Sequence, residues 1–572
     1  MGAAGGRSVV GVRIGERLER LYGRERGAET HARLRPLLEP LRERARPLWD
    51  ERDVVLIAYG DTFSRRGVRP LAALREFART RLADAVSVVH VLPFFPFSSD
   101  DGFAVIDYRT VHPMLGDWDD IAALGDDFGL MFDFVLNHVS SRSRWFTDFL
   151  ACDGPGKDYF IEVDPDTDVS GIVRPRVRPL LAGFDTEQGE KFVWATFGED
   201  QIDLDFSNPD VLVEMVDVFV DYLRRGARIV RLDAVAFLWK RIGTPCIHLD
   251  ETHEVVKLLR DVADCVSPGT VLLTETNVPH AENLSYLGDG DEAHMVYQFA
   301  LPPLVLHALW RGTSHWLSRW AETLEAPGAG RTYLNFTASH DGIGMRPAEG
   351  LLPMAEIDEL IDGMRRSGAY VSARDLGGGR KAVYEINTTW FDALKTTAEG
   401  ADAYQIARTL CSQLIAVALR GVPALYAHTL TATPNDHRAV DQTGRLRAVN
   451  RHRWDLGVLD RLLDDPSTPQ GDVFAHLVRA LAIRRSEPAF HPDGAQEVID
   501  MGERVFAFSR EAPAGGRRVS VVANVTAAAV VVANPRAGDA AQVDLLTGSR
   551  VARDEAHVEL GPYQVVWLAP ED

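Results

Sequence analysis

The chain has little cysteine, no long apolar run and a shortage of positive charge. Only Cys152, Cys246, Cys265 and Cys411 occur in 572 residues, and none forms a CxxC pair. That scatter predicts buried free thiols in a reducing cytoplasm rather than a disulfide framework. Nothing near 18 consecutive apolar residues is present, so no helical membrane span is expected. The stretch from Met1 to Val12 has no apolar h-region, so no signal peptide is expected. Lys and Arg number 62 against 83 Asp and Glu, a formal charge of −21. Such a balance argues against nucleic acid or an anionic membrane as partner, and any bound anion must find a local basic patch. HxH and HExxH spacings are missing, so no metal is expected. There is no internal repeat.

What is present alternates in texture. Residues 1–50 are rich in Arg, Leu and Glu, with apolar positions at helical spacing around Ile14, Leu18 and Leu21, which predicts a helical extension. From Val54 apolar strands alternate with helical stretches, the pattern of βαβ units. Eight strands are expected: Val54 to Tyr59, Val86 to Phe95, Leu130 to His138, Arg228 to Val235, Val271 to Asn277, His294 to Leu301, Tyr333 to Asp341 and Val422 to Tyr426. The fold class is therefore α/β, a (β/α)8 TIM barrel over 51–138 and 208–489. Two gaps exceed ordinary barrel loops. One is an inserted domain at 139–207, after the third strand. The other is an inserted loop region at 342–400, after the seventh, carrying Gly377-Gly378-Gly379-Arg380-Lys381. Short β-rich runs predict a C-terminal antiparallel β domain at 490–572.

Four of the strand runs finish in polar clusters: Asn137-His138, Arg231-Leu232-Asp233, Thr274-Glu275 and Ser339-His340-Asp341. A barrel gathers its chemistry at the C-terminal ends of its strands. Cleaving a glycosidic bond needs an acid on the leaving oxygen and a carboxylate facing the anomeric carbon. Arg231 and Asp233 share one face of a strand, so the guanidinium is expected to keep Asp233 ionised. Glu275, among Leu272, Leu273 and Val278, is expected to be desolvated and raised, as an acid requires. A lone Asp at a strand end is usually a helix cap and a lone His usually structural. The ordered set is what points to chemistry.

Those segments resemble the four signature regions of the α-amylase superfamily of glycoside hydrolases, in order and in barrel position, over about Val54 to Arg453. The resemblance implies Asp233 as nucleophile, Glu275 as acid/base and Asp341 as transition-state stabiliser, with Arg231, His138 and His340 holding the sugar. Within the superfamily the chain is similar to the sucrose phosphorylase branch, through Ser99-Asp100-Asp101-Gly102-Phe103, Gly116-Asp117-Trp118-Asp119-Asp120, His340-Asp341-Gly342-Ile343-Gly344 and Asn450-Arg451-His452. That branch implies an Asp100–Arg451 pair closing the pocket around one glucose, Phe103 as an apolar wall and Gln201 lining the pocket. Arg174 and Arg176 resemble the phosphate-binding loop of the branch, with Arg176 favoured. Asn137 matches a residue that binds calcium in many amylases, yet the branch implies none. No cofactor is implied beyond phosphate as co-substrate.

Two departures bear on the acceptor. The branch typically carries Glu-x-His where this chain has Glu275-Thr276-Asn277, and Tyr-Gln where it has Tyr384-Glu385. The Glu275 to His280 stretch, Ala58-Tyr59-Gly60-Asp61-Thr62 and the extra N-terminal length resemble glucosylglycerate phosphorylases. These convert 2-O-α-D-glucosylglycerate and phosphate to α-D-glucose 1-phosphate and D-glycerate with retention. A carboxylate acceptor needs a cation, for which Arg178, Arg380 and Lys381 are candidates. Sucrose, sucrose 6-phosphate or glucosylglycerol as donor, a plain α-glucosidase or transglucosidase, and a non-catalytic sugar-binding barrel are the alternatives. The partners expected are thus a small glucoside and phosphate, and a homodimer stays open.

Overall fold

The computed structural model describes residues 2–41, 45–175, 178–375, 381–537 and 541–571. Eight short strands form a closed parallel barrel in chain order. They are β1 (Val55–Ala58), β2 (Val88–Val91), β3 (Gly129–Val135), β4 (Ala227–Asp233), β5 (Val271–Thr274), β6 (Met295–Tyr297), β7 (Thr332–Asn335) and β8 (Val422–Tyr426). β8 closes on β1, with Val55 opposite Ala424. Apart from Gly129 and Arg228, every residue of these strands is buried. Burial on both faces is why they read as continuous apolar runs.

Several expected strands overrun the ladder. β2 stops at Val91, ahead of Pro93 and Pro96, which have no N–H to give. β7 stops at Asn335, so His340 and Asp341 ride on the loop beyond it rather than on the strand. His138 likewise leaves β3 and starts a separate strand, His138–Ser140, antiparallel to Gln201–Asp203.

The helix Pro209–Arg224 shows how the outer layer forms. Asn208 caps it by accepting from the Asp210 N–H at 3.0 Å, proline opens the first turn, and Val211, Leu212, Met215, Val216 and Phe219 are buried. At the N-terminus, α1 (Gly2–Tyr22) and α2 (Arg24–Leu34) cross closely at Gly27, where a Cβ would stand 2.8 Å from the Leu18 carbonyl oxygen. Ile14 and Leu18 are buried, and Arg17 donates to Asp261 at 2.6 Å on the helix Asp250–Val266. In the long region after β3, Leu181–Thr186 and Gly189–Trp194 make a hairpin. In the region after β7, Ile343–Gly344, Lys381–Asn387 and Tyr370–Asp375 make a three-stranded sheet. A six-stranded sheet from Ala495 to Pro570 and a two-stranded one follow the barrel. Cys246 and Cys411 are buried, whereas Cys152 and Cys265 are half-buried, which corrects the expectation of four buried thiols.

Candidate active site

The C-terminal ends of the barrel strands surround a cavity lined by Asp233, Glu275 and Asp341 together with Arg231, His138 and His340. Asp233 ends β4 and its Oδ1 accepts from Arg231 Nη1 at 2.8 Å; the same nitrogen pairs with buried Asp133 of β3. Ala234 follows with φ 51°, a left-handed conformation costly for alanine, and its N–H donates to Glu275 Oε2 at 3.0 Å. That turn ties the two carboxyl groups together. Burial pushes both upward, and each is raised further by the negative charges around it, while Arg231 opposes. The guanidinium therefore does not by itself hold Asp233 low, as the sequence suggested, because burial outweighs it. Asp233 keeps the Arg231 ion pair, whereas Glu275 accepts from the Ala234 N–H.

Asp341 is treated differently. Burial pushes its carboxyl upward, but the guanidinium charges of Arg447, Arg231 and Arg451, with the His340 ring beside it, overcome this and hold it well below the ordinary carboxylate range. Arg447 lies 2.5 Å from Asp341 Oδ1 and donates to both oxygens of Glu385 at 2.9 and 3.0 Å. Glu385 reaches this point because it pairs with Gly344 across the three-stranded sheet. A Cβ on Gly342 would stand 2.9 Å from Glu385 Cγ, so only glycine admits that approach. Sequence reasoning missed Arg447; nothing marks it among 62 basic residues except its place four residues before Arg451. The Asn450–Arg451 pair holds the loop after β7 by its backbone, Asn450 donating to the Asp341 carbonyl and Arg451 to the His340 carbonyl, both at 2.9 Å.

The far wall is His138, Gln201, Phe103 and Asp100. His138 Nε2 lies 2.9 Å from the Phe103 carbonyl oxygen, and Gln201 Nε2 lies 3.3 Å from Asp100 Oδ2. Phe103 stacks on His340 at 4.8 Å with the rings 5° apart. Burial lowers both imidazoles, His138 to about 4 and His340 to about 3, so both are neutral at pH 7. The neighbour of the expected aspartate also reaches Arg451. Arg451 pairs with Asp101, which Arg445 also reaches at 2.5 Å. Consecutive left-handed residues, Asp100 (φ 53°) and Asp101 (φ 50°), turn the second aspartate toward Arg451 and leave the first on the cavity wall. Behind His138, Lys240 Nζ sits 2.7 Å from Asn137 Oδ1 and 2.7 Å from Asp203 Oδ2. An ammonium thus stands against the side chain that resembles a calcium ligand, and this donor set does not fit a metal.

A second cavity adjoins the first and shares Phe197, Ala234, Glu275, Asn277 and Tyr384 with it. Arg174 lies on its wall, as do Arg346 and Arg374, which the sequence did not single out. Arg178 is exposed against Gly198 and lines neither cavity, which corrects its candidacy as the acceptor's cation. Arg176, Arg380 and the side chain of Lys381 lie outside the described residues.

Comparison with known proteins agrees with this geometry. Residues 85–320 match the α-amylase catalytic domain family, and residues 503–568 match the C-terminal immunoglobulin-like domain of D-apionate lactonase. A glucosylglycerate phosphorylase of Spirochaeta thermophila is 44% identical, over 98% of each chain. The glucosylglycerate phosphorylase of Escherichia coli is 42% identical, over 97% of this chain and 99% of that one. Among solved structures, sucrose 6F-phosphate phosphorylase from Thermoanaerobacter thermosaccharolyticum superposes with a TM-score of 0.73 at 26% identity, over 89% of this chain and 98% of the other.

Proposed function

We infer the reaction from one premise: the chain belongs to the α-amylase family, in the branch that holds the glucosylglycerate phosphorylases. The enzyme is a retaining glucosyl phosphorylase. It converts 2-O-α-D-glucosylglycerate and phosphate to α-D-glucose 1-phosphate and D-glycerate. The near-full-length identity to two proteins of that activity carries the substrate assignment. The carboxylates in one cavity supply the chemistry.

We propose double displacement in the roles suggested by the sequence. Asp233 attacks C1 of the glucosyl group while Glu275 gives its proton to the glycosidic oxygen. The C1–O bond breaks and glycerate leaves with its hydroxyl restored. Phosphate then brings an oxygen to C1, its proton passes to Glu275, and the C1–Asp233 ester breaks to return the carboxylate. Two inversions retain the α configuration. Asp341, kept ionised by Arg447, faces the positive charge of the oxocarbenium-like state. All atoms and protons balance with phosphate as co-substrate and no resident cofactor. His138, His340, Gln201, Asp100 and Phe103 hold one glucose, with Tyr384 and Glu385 beside them. Phosphate enters by the second cavity, past Arg174. A cytoplasmic site of action fits four scattered cysteines with no CxxC pair.

The test is to incubate α-glucose 1-phosphate with D-glycerate, fructose, fructose 6-phosphate or glycerol and measure phosphate release. Glycerate is expected to be the acceptor that turns over. Turnover with another acceptor while glycerate stays inert refutes the substrate; glucose appearing without acceptor-dependent phosphate release refutes the phosphorylase.

A further inference from the structure

In the second cavity, two half-buried cations remain without a role. Arg346 opens the single helical turn Arg346–Ala348, five residues beyond Asp341. Arg374 comes from the strand Tyr370–Asp375, whose Ser372 pairs with Glu385. Their side chains are only 18% and 16% exposed, and each is tied to one carboxylate. Arg374 donates to Glu349 at 2.7 Å, whereas Arg346 stands a loose 3.7 Å from Glu282. Burial, and then the positive charge of Arg374, lowers the Arg346 guanidinium from its ordinary value. Arg374 Nε and Asn277 Oδ1 are buried polar atoms with no hydrogen-bond partner among the described residues. Asn277 is held by close packing on Gly344, where a Cβ would stand 2.8 Å from that oxygen.

A protein gains nothing by burying two like charges with an unmade hydrogen bond beside them, since each uncompensated group carries its full desolvation cost. Ordinary structural ion pairs would account for Glu349 and Glu282. They do not account for both guanidinium groups facing the wall that carries Glu275. An oxyanion seated between them supplies the acceptor that Arg374 Nε lacks.

We propose that Arg346 and Arg374 form an oxyanion cradle that takes the carboxylate of glycerate in one half-reaction and inorganic phosphate in the other. The proposal rests on the phosphorylase reading. Both anions must present an oxygen to the same C1 under the same Glu275, so they occupy this cavity in turn. A planar guanidinium fork matches carboxylate and phosphate alike, which lets one cradle serve both. A neutral acceptor such as glycerol draws no benefit from it.

The experiment uses α-D-glucosyl fluoride, which loads the glucosyl-enzyme with release of fluoride and without a carboxylate or phosphate in the second cavity. Partition is then read as two product ratios: glucosylglycerate to glucosylglycerol with both acceptors present, and glucose 1-phosphate to glucose with phosphate present. Arg346→Gln and Arg374→Gln are each expected to lower both ratios by about 10- to 100-fold, the worth of one charged hydrogen bond. Arg346→Lys, which keeps the charge but not the fork, is expected to recover part of the loss. Unchanged ratios overturn the cradle. A fall in one ratio alone overturns the sharing, and loss of fluoride consumption with both ratios intact places the damage in the sugar pocket and overturns it too. Arg346→Gln decides the matter if Arg374→Gln fails to fold, because it breaks the looser ion pair. A wild-type glucosyl-enzyme that neither phosphate nor glycerate intercepts refutes the phosphorylase reading instead, and that outcome is visible before any variant is made.

Discussion

Replacing Lys240 by methionine tests whether the sugar pocket depends on a buried charge that never touches the sugar. Asp203 is fully buried and takes four donors: Lys240 Nζ at 2.7 Å, the Thr196 N–H at 2.8 Å, Thr196 Oγ1 at 2.6 Å and Asn137 Nδ2 at 3.1 Å. The ammonium also satisfies Asn137 Oδ1. This cluster pins the strand Gln201–Asp203 against His138–Ser140, and those two strands supply Gln201 and His138 to the cavity. Removing one partner of a buried ion pair costs about 3–5 kcal/mol. Three neutral donors stay on Asp203, so the low end applies, about 3 kcal/mol or roughly 100-fold in the local opening equilibrium.

Hydrogen exchange in 138–140 and 201–203 should therefore quicken by about that factor in Lys240→Met. The KM for the glucoside should rise more than kcat falls, because substrate must now restore the pocket. Asp203→Asn in the same chain removes the orphaned charge. The double variant should thus be less damaged than the sum of the singles, with a coupling of about 2 kcal/mol. Strictly additive losses, or unchanged exchange in Lys240→Met, would refute the reasoning.

Much of this fold was legible because a parallel barrel buries its strands on both faces, leaving continuous apolar runs that end where function begins. Asp233 and Glu275 could be read that way, standing at or one residue past the ends of β4 and β5. Asp341 was legible as a residue but not as a strand position, since pairing ends six residues earlier at Asn335. What stayed hidden depends on contacts distant in sequence. Asp100 and Asp101 are indistinguishable as letters, and consecutive left-handed residues bring the second to Arg451. Arg447 became visible only when the pairing of Gly344 with Glu385 brought a second carboxylate to it. Arg346 and Arg374 lie 28 residues apart and converge on one wall through a sheet whose register no local pattern encodes.

Glu275→Gln should lose about 100- to 10,000-fold on glucosylglycerate, the usual worth of a general acid, yet retain far more on α-glucosyl fluoride, whose leaving group needs no proton; equal losses on both donors would remove Glu275 from the acid role. Asp233→Ala should abolish phosphorolysis by several orders of magnitude, and rapid trapping with mass spectrometry should find no glucosyl adduct. An adduct forming in Asp233→Ala would assign the nucleophile elsewhere. Asp133 contributes to acid stability. Burial pushes its carboxyl up, but the His90 ring and the Arg231 guanidinium overcome this and hold it at about 2. A carboxyl lower in the folded chain than in the unfolded one contributes stability that is complete above the ordinary value near 4 and is lost as pH falls through the folded one. That difference is worth about 2 kcal/mol. Urea midpoints of the wild type should therefore drop between pH 4 and pH 2, while Asp133→Asn should start lower at pH 7 and flatten over the same interval. Parallel curves for the two proteins would show that the Asp133 ion pairs contribute nothing to the pH dependence.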